Sequence, residues 1–303
     1  MEPLDDAKFS GTKEVDENLA IEASKLQPWM DEFVPQAGKI NSIEQFKGGQ
    51  SNPTYKIATE SKNLVLRRKP PGKLLPSAHA VDREYKVITA LHETDVPVPK
   101  TYGLCEDNDV AGTAFFMMDF LDGDLFWDPM IPSLSNKDRS EIYRNKNKTL
   151  AKLHSVDYEK IGLEDYGKPG SYVARQVSRW SKQYRASETD DIEAMNNLID
   201  WLPKNIPDDD ETSIVHGDYR LDNMILKNNK VIGILDWELS TLGHPIADFS
   251  YHCLSWRTQE AFWDQAKLKE LGVPSEKEYM DMYCENTGKD LSKNWEFYMA
   301  FNM

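Results

Sequence analysis

The sequence predicts an α+β fold in two parts, a small β-rich part up to about Phe120 and a larger helical part after it. Short strand-like runs separated by Gly, Asn and Pro turns crowd the first part, whereas apolar residues at helical spacing dominate the second. Of the 303 residues 40% are hydrophobic and 11% aromatic, enough to fill a core without staples.

Each element has its own signal. Leu19, Leu26, Met30 and Phe33 lie roughly on one side of a helix over 15–33, which makes residues 1–40 a helical extension. "SIEQFKGGQSNPTYKIAT" reads as strand, turn, strand, and "NLVLRRK" as a third strand ended by Pro70, Pro71 and Gly72. Val81, Tyr85 and Ile88 recur at helical spacing after Pro76, predicting a helix from about Ser77 to Leu91. "TYGLCED" and "TAFFMMDF" pair as a hairpin around "NDVAG", and "LDGD" breaks it. Ser135 and Asp138 open a helix to about Leu153 as a capping box. Val173, Val177, Trp180 and Tyr184 form the apolar stripe of a helix over 172–185, and Ile192, Met195, Ile199 and Leu202 that of another over 190–202. "PDDDE" near Asp208 reads as a solvated loop.

Composition narrows the function classes. Cys105, Cys253 and Cys284 are far apart, without disulfide or zinc spacing, which fits a reducing compartment. The acidic start has no targeting signal and no run approaches the ~18 apolar residues of a membrane helix. A cytoplasmic protein without a membrane partner is expected. With 51 acidic against 36 basic side chains the net charge of -15 repels a phosphate backbone, so nucleic acid is not an expected partner.

The chemistry concentrates between Ile214 and Glu238, in "IVHGDYRLDNMILKNNKVIGILDWE". "SIVHGD" is a short apolar run ending in polar residues, and "MILKNNKVIGIL" is strand, Asn-Asn turn, strand. The two ends of a hairpin return to one place, so Asp218, Asn223 and Asp236 are expected to converge. Two carboxylates and an amide oxygen suit Mg²⁺, with one carboxylate left to orient a hydroxyl. Taken singly, each of these residues could equally populate a turn.

"HGDYRLDN" resembles the H-x-D-x-x-x-x-N catalytic loop of kinases, and "ILDWE" is similar to the metal-binding segment of the aminoglycoside phosphotransferase and choline kinase family. "FKGGQSNPTYKI", "LVLRRKPPG", "DREYKVITAL", "VPVPKTYGLCED", "FMMDFLDGD" and "LAKLHS" follow that family's order. "GGQSNPTY", "LRRKPPGKLLPSAHAVDREY" and "FWDP" resemble in particular the subgroup that occurs alone or fused to acyl-CoA dehydrogenases.

The resemblance implies a protein kinase-like two-lobed fold, with a nucleotide-binding N-lobe over 41–120 and a C-lobe over 121–303 carrying the catalytic loop, metal site and acceptor site. It makes Asp218 the catalytic base and has Asn223 and Asp236 hold Mg²⁺ against the phosphates of ATP. His216 braces the loop, and Asp248 in "PIADFSY" supports it. Kinases carry lysine where Arg67, Arg68 and Lys69 are the candidates here; strand periodicity favours Arg67, on one face with Val65 as adenine roof and Glu84 as partner. Gly48, Gly49, Ser51 and Asn52 supply the turn over the phosphates, and backbone groups of Asp119 and Leu121 read the adenine edge.

Only "WELSTLGHP" separates Asp236 from the next helix, too little for the activation segment of a protein kinase, which points to a small-molecule hydroxyl acceptor. Arg175, Arg179 and Lys182 at i, i+4 and i+7 form either a solvated basic face or the binding stripe for an anionic acceptor such as a hydroxyacyl-CoA. A cationic aminosugar or amino alcohol is the rival acceptor. Two other readings stay open: a pseudokinase-like nucleotide-binding module, given the Lys-to-Arg change, and a metal-dependent hydrolase using His216 and Asp218. "NWEFYMAFNM" reads as an unfinished helix, and the sequence does not fix an oligomeric state.

Overall fold

The computed structural model describes residues 10–48, 51–72 and 79–303. Ten strands are formed among them: β1 Thr12–Lys13, β2 Ile40–Phe46, β3 Thr54–Thr59, β4 Asn63–Arg68, β5 Thr101–Cys105, β6 Phe115–Asp119, β7 Ser213–Val215, β8 Met224–Lys227, β9 Lys230–Ile234 and β10 Thr241–Gly243. The longer helices are α1 Ala23–Phe33, α2 Val81–Leu91, α3 Asn136–His154, α4 Tyr172–Ser187, α5 Glu193–Trp201, α6 Pro245–Cys253, α7 Gln265–Leu271, α8 Glu276–Thr287 and α9 Trp295–Asn302. The chain divides into two compact units, Met1–Pro129 with Leu221–Glu238, and Met130–Arg220 with Leu239–Met303.

The first unit is built on a six-stranded antiparallel sheet in the order β1-β2-β3-β4-β6-β5. Alternation sorts its side chains: Tyr55, Ile57, Leu64, Leu66, Phe115 and Met117 pack with Leu26, Trp29 and Met30 of α1 in one buried cluster. Val65 and Arg67 therefore lie on the opposite face. There α2 supplies Tyr85, whose ring stands 6.1 Å from that of Phe116. The expected helix over 15–33 begins only at Ala23. Tyr55 and Arg68 both donate to the carbonyl of Leu19, at 2.8 and 3.1 Å, and Ala20 is extended, so tertiary contacts override the local apolar spacing. Residues 23–37 belong to the core of this unit and are no appendage to it.

The β8–β9 hairpin completes the first unit. Its turn residues Asn228 and Asn229 take φ of 51° and 61°, the left-handed pair that a two-residue hairpin needs and Asn tolerates. Asn223 sits immediately before β8, and its carbonyl accepts from Leu235 N at 2.9 Å. Asp236 follows two residues after β9. The hairpin thus brings the two residues to its open end.

In the second unit α3 is capped by Ser135, which accepts from Asp138 N, the N-cap half of the expected capping box. Around it Phe249 of α6 stacks on Tyr283 of α8 with ring centroids 4.0 Å apart, and Trp256 stacks on Tyr279 at 4.9 Å. Two expectations are corrected here and a third is extended. Trp180 is 54% exposed and drops out of the α4 stripe, in which Val173 and Val177 are buried and Tyr184 half-buried. The helix over 190–202 spans Glu193–Trp201, with Ile192 exposed at its cap. The acidic loop is exposed but anchored: Tyr298 donates to Asp209 at 2.9 Å, Ser171 N to Asp210 at 2.6 Å, and Lys289 pairs with Glu211. No helix among the described residues is long and apolar enough to cross a membrane.

Candidate active site

In the first unit the polar side chains on the α2 face of the sheet are joined through Arg67. Its Nε donates to Glu84 Oε1 at 3.0 Å and stands 2.8 Å from Oε2, and its Nη2 meets Asp236 Oδ1 at 2.5 Å. Glu84, one turn into α2, is fully buried and also accepts from Asn52 Nδ2 at 2.8 Å. Burial pushes the Glu84 carboxyl up to about 7, against the pull of the Arg67 guanidinium. Arg67 is itself buried, and its charge is held by Glu84 and Asp236. Arg68 points to the other side and donates to the carbonyls of Ala111 and Leu19, so the strand alternation that favoured Arg67 over its neighbour holds.

Asp236 takes a left-handed φ of 63°, uncommon for a non-glycine residue. The next residue fixes the bend, since the buried Trp237 donates its indole N–H to the carbonyl of Ile234 at 3.0 Å.

The other predicted residues of this unit are placed less uniformly. Val65 is buried beside Arg67 on its face. Gly48 and Ser51 flank the β2–β3 turn and are half-buried, while Gly49 lies outside the described residues. Asn52, expected at phosphates, is corrected: its amide is fully buried against Glu84, with His79 Nδ1 3.1 Å from its oxygen. Asp119 N donates to the carbonyl of Lys100 at 2.8 Å, and its carboxylate accepts from Lys62 and Tyr102. The Asp119 N–H is therefore already taken, while its carbonyl is an acceptor. The Leu121 side chain packs on Gly233, where a Cβ would collide with it.

In the second unit the loop after β7 is pinned at both backbone and side chain. Asp248 Oδ2 accepts from His216 N at 2.8 Å and Oδ1 from Gly217 N at 2.8 Å, while His154 Nε2 donates to Oδ2 at 3.1 Å. His154 Nδ1 in turn stands 2.7 Å from the Tyr283 hydroxyl. Burial alone would raise the Asp248 carboxyl. The hydrogen bond from His154, the nearby imidazoles and the His216 N–H together hold it below the ordinary 3.8. His216 is fully buried, and its Nδ1 accepts from Asp218 N at 3.2 Å, which is the bracing role. Gly217 has φ of 83°, and a Cβ there would lie 2.9 Å from the carbonyl oxygen of Leu239, so only glycine fits. Tyr219 is buried and donates to the carbonyl of Lys146 at 2.8 Å, leaving Asp218 half-exposed between two anchored neighbours. Tyr251 places its hydroxyl 3.4 Å from Asp218 Oδ1. The sequence reading passed over it, although it lies one helical turn from Asp248.

The basic residues of α4 do not act as one stripe. Arg175 is half-buried and donates to the carbonyls of Gly170 and Lys168, which ties it to the preceding loop. Arg179 is exposed, with its guanidinium 5.4 Å from the centroid of Trp180.

Residues 42–283 match the phosphotransferase enzyme family APH. The chain belongs to that family. It is 43% identical over 300 residues to acyl-CoA dehydrogenase family member 10 of Mus musculus, covering 96% of this chain and 28% of that protein. The chain thus spans less than a third of that relative. A Ralstonia eutropha protein described as a candidate aminoglycoside phosphotransferase shares 47% identity, with a TM-score of 0.85 over 93% of this chain and 85% of that one. The ternary complex of streptomycin, ATP and APH(2″)-IIa shares the fold at 17% identity, with a TM-score of 0.59 over 91% of this chain and 85% of that one. As a member of the phosphotransferase family, the chain has the protein kinase-like fold that the motifs implied.

Proposed function

We propose that this phosphotransferase transfers the γ-phosphate of ATP to the hydroxyl of a small acceptor. The observation that carries the reading is the buried Arg67–Glu84 ion pair on the α2 face of the sheet. A strand cation fixed by a helix carboxylate is the arrangement phosphoryl transfer uses to place negative phosphates. Arginine replaces lysine, and its fork can hold Glu84 through one edge while the other faces a phosphate.

Asn223 and Asp236 fit a hard cation, being an amide and a carboxylate at one hairpin end. Among the described residues no three His, Cys, Asp or Glu cluster as ligands, so the remaining positions fall to water and the nucleotide. Mg²⁺ bound there neutralises phosphate charge. Asp218 accepts the acceptor's hydroxyl proton and directs its oxygen, on a loop that Asp248 keeps from moving. Val65, Gly48, Ser51, the Leu121 backbone and the Asp119 carbonyl complete the nucleotide site.

A relative named for acyl-CoA dehydrogenase favours a hydroxyacyl-CoA or hydroxy acid over an aminosugar as acceptor. The test is ADP release with ATP and Mg²⁺ across hydroxyacyl-CoAs, hydroxy acids, amino alcohols and aminoglycosides. Asp218→Asn is expected to lower acceptor-dependent turnover by about 10²- to 10⁴-fold while leaving ATP binding in place. Turnover that survives the substitution refutes Asp218 as base. One observation favours the alternative, a nucleotide-binding module without transfer: Arg67 already occupies Asp236 Oδ1. ATP binding with no turnover on any acceptor would establish it.

A further inference from the structure

We propose that Tyr251 is a positioning residue for Asp218, an inference that rests on the function proposed above. Eight of the nine residues of α6 are buried, and Tyr251 is the one that is not, at 36% exposure. It follows Asp248 by three residues, so both side chains leave the same face of the helix toward the 216–218 loop. Asp248 takes the backbone N–H groups of His216 and Gly217, and Tyr251 reaches the Asp218 carboxylate at 3.4 Å. One rigid helix therefore holds the loop twice, by its main chain and by the side chain that does the chemistry.

The phenol donates to Oδ1, which fixes how the carboxylate plane is turned. The phenol itself is pushed up by burial and by the Asp218 carboxylate, so it remains a donor throughout the working range of a base. Tyr251 and Asp218 are both partly exposed, so an arriving acceptor can reach the pair.

Tyr251→Phe keeps the ring and deletes the donor. Steady-state ADP release is compared for wild type, Tyr251→Phe and Asp218→Asn, from acid to neutral pH, with the best acceptor or, lacking one, with water as acceptor. The expected result for Tyr251→Phe is a kcat lower by about two- to tenfold, the rate equivalent of one ordinary hydrogen bond. KM for ATP and the melting temperature are unchanged. A Tyr251→Phe enzyme with wild-type kcat, beside an inactive Asp218→Asn, overturns the positioning role and leaves the kinase reading standing. Turnover that persists in Asp218→Asn, or its absence in wild type, overturns the kinase reading and this inference with it.

Discussion

Arg67 is the residue whose loss the first unit should tolerate least. Its guanidinium is buried between two carboxylates, one of which, on Glu84, has no exposure at all. Breaking such a pair strands a buried charge, so Arg67→Met is expected to cost about 3–5 kcal/mol in urea denaturation. Arg67→Lys keeps the charge but not the fork and should cost roughly 1–3 kcal/mol. Equal midpoints for all three proteins would mean the chain of ion pairs contributes nothing to stability. Arg67 was legible because strand alternation has only two faces and Val65 shares one of them. Asn52 was not. Its partner Glu84 lies 32 residues on, and an Asn in a Gly-containing turn carries no mark of which side chain it will reach.

At the scale of elements, α6 does for the second unit what Arg67 does for the first. Its Asp248 lies below its ordinary value, so the stability it contributes is complete above 3.8 and is lost as pH falls from there toward the folded value. Thermal melts of wild type should therefore drop steeply in that acid window. Asp248→Asn should melt lower at neutral pH, by roughly 1–3 kcal/mol, because an amide leaves one of the two backbone donors without an acceptor. The same variant should also show a shallower acid limb; an unchanged limb would assign the acid sensitivity elsewhere. Strands and hairpins were read well because their alternation and turn residues are local signals, as at Asn228 and Asn229. Helix limits were read less well. The carbonyl of Leu19 is taken by Tyr55 and Arg68, a tertiary contact that periodicity cannot see.

For the whole molecule the open contest is between the net charge of -15 and the local charge of α4. A field summed over the surface repels an anionic acceptor at long range, whereas a few exposed cations act only within about a Debye length, ~8–10 Å at physiological salt. The two dependences on ionic strength are opposite. If α4 binds the acceptor, kcat/KM for a hydroxyacyl-CoA falls as salt is raised from low to physiological levels. If only the net charge is felt, it rises. Since Arg175 is tied to loop carbonyls, its reversal would disturb the fold as well as the charge; Arg179→Glu with Lys182→Glu is the cleaner probe. The expected outcome is a wild-type decline with salt that turns into a rise in the double variant, at unchanged melting temperature. Parallel salt curves for the two proteins would return Arg179 and Lys182 to the solvated face that composition alone suggests.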